Sequence, residues 1–305
     1  MTTRISAAAL TRSTPADSTP DRIGTETLHE ESETTSAAID SISNKGVSRR
    51  TLVWPLRIIT VLAAIGLWHL LAASDAVLWL HFDVIPTPAD VASAWWDRLH
   101  AEEYYLDLGQ SLIRIGTGFA LAAAIGIPLG IALGRSTLAE GTLGALTELA
   151  RPIPAIALVP IAILVFPSDE GGMVFITFIA ALFPIVVSTR HAVRALPTIW
   201  EESVRTMGGT RRDVVWRVIL PGITPGVFGG LSVGIGVSWI CLISAEMISG
   251  RLGIGYRTWQ SYTVVDYPGV FVGMFTIGAL GAVTSGAIEL IGRRVTRWLP
   301  RGDHR

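Results

Sequence analysis

The stretch LPTIWEESVRTMGGTRRDVVWRVILP, Leu196 to Pro221, is a polar interruption between two long apolar runs, and its reading decides the fold. Thr198 with Glu201 three places on has the form of a capping box, and Thr210 with Asp213 forms a second, weaker one. In such boxes a hydroxyl and a carboxyl satisfy the free N–H groups at a helix start. Gly208-Gly209 supplies a helix stop where positive φ costs little, and Pro221 is expected to keep the second helix from continuing. The segment therefore predicts two short helices around a glycine elbow. Trp200, Val204 and Met207, then Val214, Val215 and Val218, recur at helical spacing. Such a stripe seeks either a partner surface or the lipid headgroups, and periodicity does not choose between them.

Working outward, the flanking sequence is apolar in long blocks. Half of the chain (50%) is hydrophobic and only 16% is charged, against about 25% charged in soluble domains. Six blocks, at about 53–73, 110–134, 143–166, 172–194, 223–248 and 269–291, approach the ~20 residues that cross a ~30 Å hydrocarbon core. A chain in lipid must satisfy its own backbone hydrogen bonds, so these blocks are helices. The prediction is an all-α polytopic membrane protein with six transmembrane helices over 51–300, containing the polar loop 197–221. Residues 1–50 stand apart: 17 are Ser or Thr and none is aromatic. That composition predicts a disordered tail.

Cations mark one side. Lys45, Arg49, Arg50 and Arg57 sit around the first block's start; Arg190, Arg194, Arg205, Arg211, Arg212 and Arg217 surround the polar loop; Arg293, Arg294, Arg297, Arg301 and Arg305 close the chain. With six spans all three groups share a side, which the bias of basic residues makes cytoplasmic, with both termini. The segment from Ser74 to Gln110 lies opposite and has Arg98 alone against seven acids.

Several activities are argued against. The only lysine, Lys45, lies between Asn44 and Gly46, so no Gly-Lys-Ser/Thr phosphate loop is possible. Cys241 is the sole cysteine, and the histidines show no pairing of the kind a helical zinc site needs. A net charge of −1 without a basic stripe argues against a nucleic-acid partner. Gly230-Leu-Ser232-Val-Gly234 has the spacing of a serine-hydrolase nucleophile elbow, but that motif needs a strand, a strained turn and a helix. An intramembrane hydrolase acting through Ser232 is thus one rival reading; an ion-coupled secondary transporter is another.

Two blocks carry small residues every fourth position: Gly118, Ala122, Gly126, Gly130 and Gly134, and Gly222, Gly226, Gly230, Gly234 and Ser238. Such rows allow close helix packing, within the chain or at a dimer interface or path. Arg114 and Glu246 fall near span ends; charges there either meet a solute or pair with each other. Glu148 and Arg151 are spaced to pair on one helix. Pro128, Pro152, Pro154, Pro160 and Pro184 are candidates for bends.

The polar loop resembles the EAA loop of permease subunits of binding-protein-dependent ABC importers. The pattern reads Glu202-Ser203-Val204, then Gly208, then Val218-Ile-Leu220-Pro221, with Ser203 and Val204 in place of two alanines. The likeness spans about 52–300. Ile85-Pro-Thr-Pro88, Ser111-Leu-Ile-Arg114, Arg151-Pro-Ile-Pro154, and Ala245-Glu-Met247 before Gly253-Ile-Gly255 are similar to the nitrate/sulfonate/taurine/bicarbonate branch, whereas Phe166-Pro-Ser-Asp-Glu-Gly171 departs from it. The resemblance implies a type I (MetI-like) permease in the bacterial plasma membrane. It implies a coupling loop built by Glu202, Val204, Met207, Gly208, Gly209, Leu220 and Pro221, and a solute path to which Arg114 and Glu246 are candidates. The implied partners are cytoplasmic ATPase subunits, which carry the ATP and magnesium, a solute-binding protein outside, and a second permease chain forming a homodimer. No cofactor and no catalytic residue are expected in this chain. The solute class implied is a small oxyanion or sulfonate.

Overall fold

The computed structural model describes residues 47–74 and 84–298. The expected disordered tail lies outside the described residues up to position 46, while Val47–Arg50 already belong to the first helix. All regular structure among the described residues is helical. The helices are α1 (Val47–Ala73), α2 (Pro88–Leu99), α3 (Glu102–Arg135), α4 (Thr137–Ala150) and α5 (Ala155–Val165). They continue with α6 (Asp169–Arg194), α7 (Thr198–Thr206), α8 (Arg211–Ser249), α9 (Ile254–Thr263) and α10 (Tyr267–Val295). By their contacts, residues up to Leu67 form one unit and those from Trp68 a second.

Five of these helices, α1, α3, α6, α8 and α10, are long and apolar enough to span a membrane. The expected third span is not one helix. It is the pair α4 and α5, bent by 80°. Pro152 and Pro154 lie in the break, where Pro154 is extended (ψ 120°) and neither proline has an N–H to give to a helix.

Helix pairing shows why this broken segment must still return across the membrane. Gly118, Gly130 and Gly134 of α3 face Thr177, Thr189 and Val193 of α6, at the same sequence separation each time. The two helices therefore run parallel, and the chain between them has to travel back the full length of α3. On its other side α6 meets α8 in the opposite sense, with Gly222 against Leu196, Gly226 against Ala192 and Gly230 against Ser188. α10 runs antiparallel to α8, since Trp239 donates to Thr284 Oγ1 (2.9 Å) while Gly292 faces Phe228.

Both small-residue rows are spent inside the chain. A Cβ at Gly118 or Gly130 would lie 2.6 Å from a threonine Cβ of α6, and one at Gly226 would lie 2.5 Å from Ala192 Cβ. Ser238, at the end of the second row, donates to Thr177 O at 3.0 Å. In lipid, where apolar surface gains little by leaving the solvent, this intimate backbone approach is what holds helices together. The central helix α6 accordingly buries Met173, Ile176, Ala181 and Ile185 completely or nearly so.

Pro221 does not end a helix as expected. Residues 215–219 form one wider π turn, and the helix runs on through Leu220 and Pro221 to Ser249. The shifted register of such a turn relieves the clash and missing donor that proline brings. α2 and α9 were not separated from the loops by the apolar pattern, because they are short and amphipathic. Thr87 and Asp90 form a full capping box ahead of α2, with Pro88 in its first turn.

Candidate functional site

Two regions gather the residues that the sequence singles out, at opposite ends of α6. At its C-terminal end lies the elbow. α7 starts from Pro197 with no side-chain cap, so the expected Thr198–Glu201 box does not form. Glu201 instead pairs with Arg135 at the end of α3. The second box does form: Thr210 Oγ1 accepts from Asp213 N (3.3 Å), and Thr210 N donates to the Asp213 carboxylate (2.9 Å). Between the two helices Gly208 has φ +82°, the left-handed conformation that favours glycine, and its N–H donates to Arg205 O at 2.9 Å. Gly209 N donates to Val204 O at 2.9 Å, and a Cβ there would strike the Val204 side chain at 2.5 Å.

The elbow thereby sorts its apolar stripe into two faces. Val204 and Leu220 pack against the buried cluster of Val193, Val214, Ile219 and Ile223, which fixes the elbow to α6 and α8. Met207 projects with 88% of its surface exposed, and Trp200 and Trp216 are exposed beside it. Glu202 and Gly208 lie on the exposed side as well. Behind the projection a groove of about 660 Å³, lined by Trp200, Arg217, Val218, Pro221 and Trp298 among others, runs along α8. The elbow thus exposes Met207 together with Arg205, Arg211 and Arg212, which precede and follow it in the chain.

At the other end, Arg114 and Glu246 come together. Arg114 Nη1 donates to Glu246 Oε1 (2.9 Å) and to Leu252 O (2.5 Å), and its Nε donates to Glu170 Oε2 (2.8 Å). Ser111 Oγ (2.7 Å) and Gly255 N (2.9 Å) complete the donors around the Glu246 carboxylate. Arg114 is 1% exposed and Glu246 not at all. Of the two alternatives for these charges, the structure shows the salt bridge, and the guanidinium is committed to protein acceptors on nearly every N–H it has. Both charges are paired inside the protein, Arg114 with Glu246 and Glu170.

The network continues through residues that the sequence reading did not single out. Asp107, buried, accepts from Gly253 N (2.9 Å) and Arg257 Nε (2.8 Å). Burial opposes the charge on Arg257, but the hydrogen bond and charge of Asp107, with Glu103 nearby, hold it above the usual arginine range. Gly253 has φ +135°, and a Cβ there would lie 2.5 Å from the Glu246 carboxyl, so only glycine lets the 250–255 turn close over that group. Glu170 belongs to the Phe166–Gly171 segment whose sequence departs from the branch pattern. Ser168 caps α6 there, accepting from Gly171 N at 3.2 Å, which places Glu170 beside Arg114. Acids in the first turn of an apolar helix were the available signal.

Ser232 sits inside α8 with no strand or turn next to it, so the hydrolase spacing lacks its geometry. Glu148 and Arg151 approach each other at 3.9 Å, and Glu148 is bound more closely by Arg190, at 2.8 Å.

Comparison with known proteins agrees with this architecture. The model for the family described as "Binding-protein-dependent transport system inner membrane component" matches residues 126–297. A probable ABC transporter permease protein of Brucella abortus is 31% identical over 246 residues, 81% of this chain and 96% of the relative. A nitrate import permease protein of Leptolyngbya laminosa is 28% identical over 240 residues (76% of this chain, 84% of the relative). A bicarbonate transport system permease protein of Synechococcus elongatus is 32% identical over 188 residues (61% and 68%). Among solved structures, the inward-facing methionine ABC transporter MetNI aligns with a TM-score of 0.51 and 20% identity, over 65% of this chain and 96% of that one, which is a likeness of fold. The chain is a helical, multi-pass membrane protein, and it belongs to the family of inner membrane components of binding-protein-dependent transport systems, the ABC importer permeases. Its relatives in the nitrate and bicarbonate branch match the branch that the sequence motifs suggest.

Proposed function

We propose that this permease chain forms, with a second copy of itself, the membrane path of an ATP-driven importer for a small oxyanion or sulfonate. The observation that carries the reading is the elbow: Met207, Glu202 and Gly208 are exposed, Gly209 closes against Val204, and Val204 and Leu220 pack the turn against α6 and α8, with Pro221 following in α8. A tip so exposed and so firmly backed transmits force. A cytoplasmic ATPase that takes up Met207 would push α7, and α8 would carry the displacement through the membrane because the two are continuous in packing. The relatives that import nitrate or bicarbonate support the solute class.

The chain contributes geometry, and ATP with its magnesium ion belongs to the ATPase subunit. The cations around the elbow and at the chain's end support a reading in which that side, with both termini, faces the cytoplasm of the bacterial inner membrane. A binding protein would deliver solute to the opposite side, where the Arg114 network holds α3, α6, α8 and the 250–257 turn as one block. No chemistry on the solute is needed, and alternation of access follows from relative movement of packed helices.

The test is reconstitution of the tagged chain with its ATPase and binding protein in proteoliposomes, followed by nitrate and alkanesulfonate uptake. ATP-dependent uptake, with Met207→Asp abolishing stimulation of the ATPase while leaving the chain folded, is the expected result. Uptake driven by an ion gradient without ATP would overturn the reading in favour of a secondary transporter.

A further inference from the structure

Where the third crossing breaks, one cation has no partner of its own. Arg151 lies in the turn between α4 and α5, and its side chain is 54% exposed. Its guanidinium makes no hydrogen bond among the described residues, and its single ion-pair contact is Glu148 at 3.9 Å. Glu148 is already held by Arg190 at 2.8 Å. Glu140, the other carboxylate of the group, is held by Arg190 at 2.6 Å and by Arg194. Three guanidinium groups therefore share two carboxylates, and Arg151 is the surplus charge.

That charge borders a cavity of about 380 Å³ between the break, α6 and α8, lined by Ile153, Pro154, Phe183, Ser188, Val233 and Arg151. The wall residues on α6, from Ile179 to Ser188, run from the middle of that helix toward its C-terminal end, and Val233 and Val237 come from the middle of α8. The cavity thus reaches from the interior of the helix packing toward the end of α6, where Arg151 stands beside Glu148 and Arg190. An ionised side chain beside hydrocarbon is costly unless it faces water or a counter-charge, and broken helices are where membrane transporters admit irregular backbone to line a cavity. The walls are apolar apart from Ser188, so Arg151 alone sets the sign of what enters.

We propose that this cavity is a seat for a small monoanion, an oxyanion or a sulfonate or carboxylate with a short tail, and that Arg151 is its selecting charge. The inference rests on the importer reading for the identity of the physiological solute, but the seat can be tested without transport. Lipid phosphate shares the anionic chemistry, and purification into phosphatidylcholine nanodiscs removes anionic lipid from the comparison.

The experiment uses the full chain with Cys241→Ala and Val233→Cys, which places one thiol on the cavity wall. Its labelling rates with sulfonatoethyl and trimethylammonioethyl methanethiosulfonate, each normalised to a free thiol in solution, report the local sign of charge. The anionic reagent is expected to be favoured, with the preference falling about tenfold in Arg151→Gln and retained in Arg151→Lys, as expected for a unit charge close to the thiol. In the chain that keeps Arg151, nitrate is expected to slow the anionic reagent more than fluoride does at equal ionic strength. Equal reagent preference with and without Arg151, or equal slowing by both salts, overturns the seat. Arg151 would then serve a structural pairing, for instance with an acid of a second copy. If the preference holds but no anion is imported with ATP, the seat stands and the proposed solute falls; if anions are imported but no preference is seen, the reverse applies.

Discussion

The Arg114 guanidinium stands 2.9 Å from the Glu246 carboxylate with both side chains shut off from solvent, and this pair joins the outer turns of α3 and α8. Removing one partner strands a buried charge, which costs about 3–5 kcal/mol. Arg114→Leu and Glu246→Leu are each expected to lower the thermal midpoint of the detergent-solubilised protein sharply. The double variant should lose less than the sum of the two, because it leaves no orphan between these partners, although Glu170 keeps part of the cost. Additive losses would show that the pair is not coupled.

The glycine rows make a positional prediction. A side chain at Gly130 would meet Thr189 at 2.6 Å, whereas at Gly116, on the same helix, nothing lies within 4 Å. Gly130→Val should therefore force α3 from α6 and destabilise by about 1–3 kcal/mol or more, while Gly116→Val is tolerated. Yield of monodisperse protein and its unfolding midpoint decide the matter.

Gly208 separates backbone from coupling. With φ at +82°, Gly208→Leu carries a conformational cost of about 1–2 kcal/mol. Its open surroundings add no clash. The protein should insert and fold, yet ATP hydrolysis and uptake should lose their connection in proteoliposomes. Fully coupled transport by this variant would remove the elbow from the mechanism.

Topology is checked by single cysteines in a Cys241→Ala background. Met207→Cys should react with a membrane-impermeant maleimide only from the cytoplasmic side. Val264→Cys, between α9 and α10 and 68% exposed, should react only from the opposite side. Labelling of both from one side would mean that α8 does not cross the membrane between them.

The sequence by itself determined that this chain is helical, where its spans lie, and that an elbow around Gly208 joins two of them. Those properties are local: hydropathy over a lipid thickness, one Thr–Asp cap, and a glycine where φ must be positive. What it could not determine was which faces meet. The rows headed by Gly118 and Gly222 favoured packing within the chain over a dimer interface or path, but which helix they meet was decided only by α6 lying between them, since a small residue records only that something comes close. Arg114 and Glu246 lie far apart along the chain, and the turn at Gly253 that closes over them is fixed by contacts with Asp107 and Ser111 that no spacing encodes. The third crossing is the sharpest case: its apolar length predicted a span and its prolines a bend, but that it breaks by 80° and still returns across the membrane follows only from the parallel packing of the helices on either side.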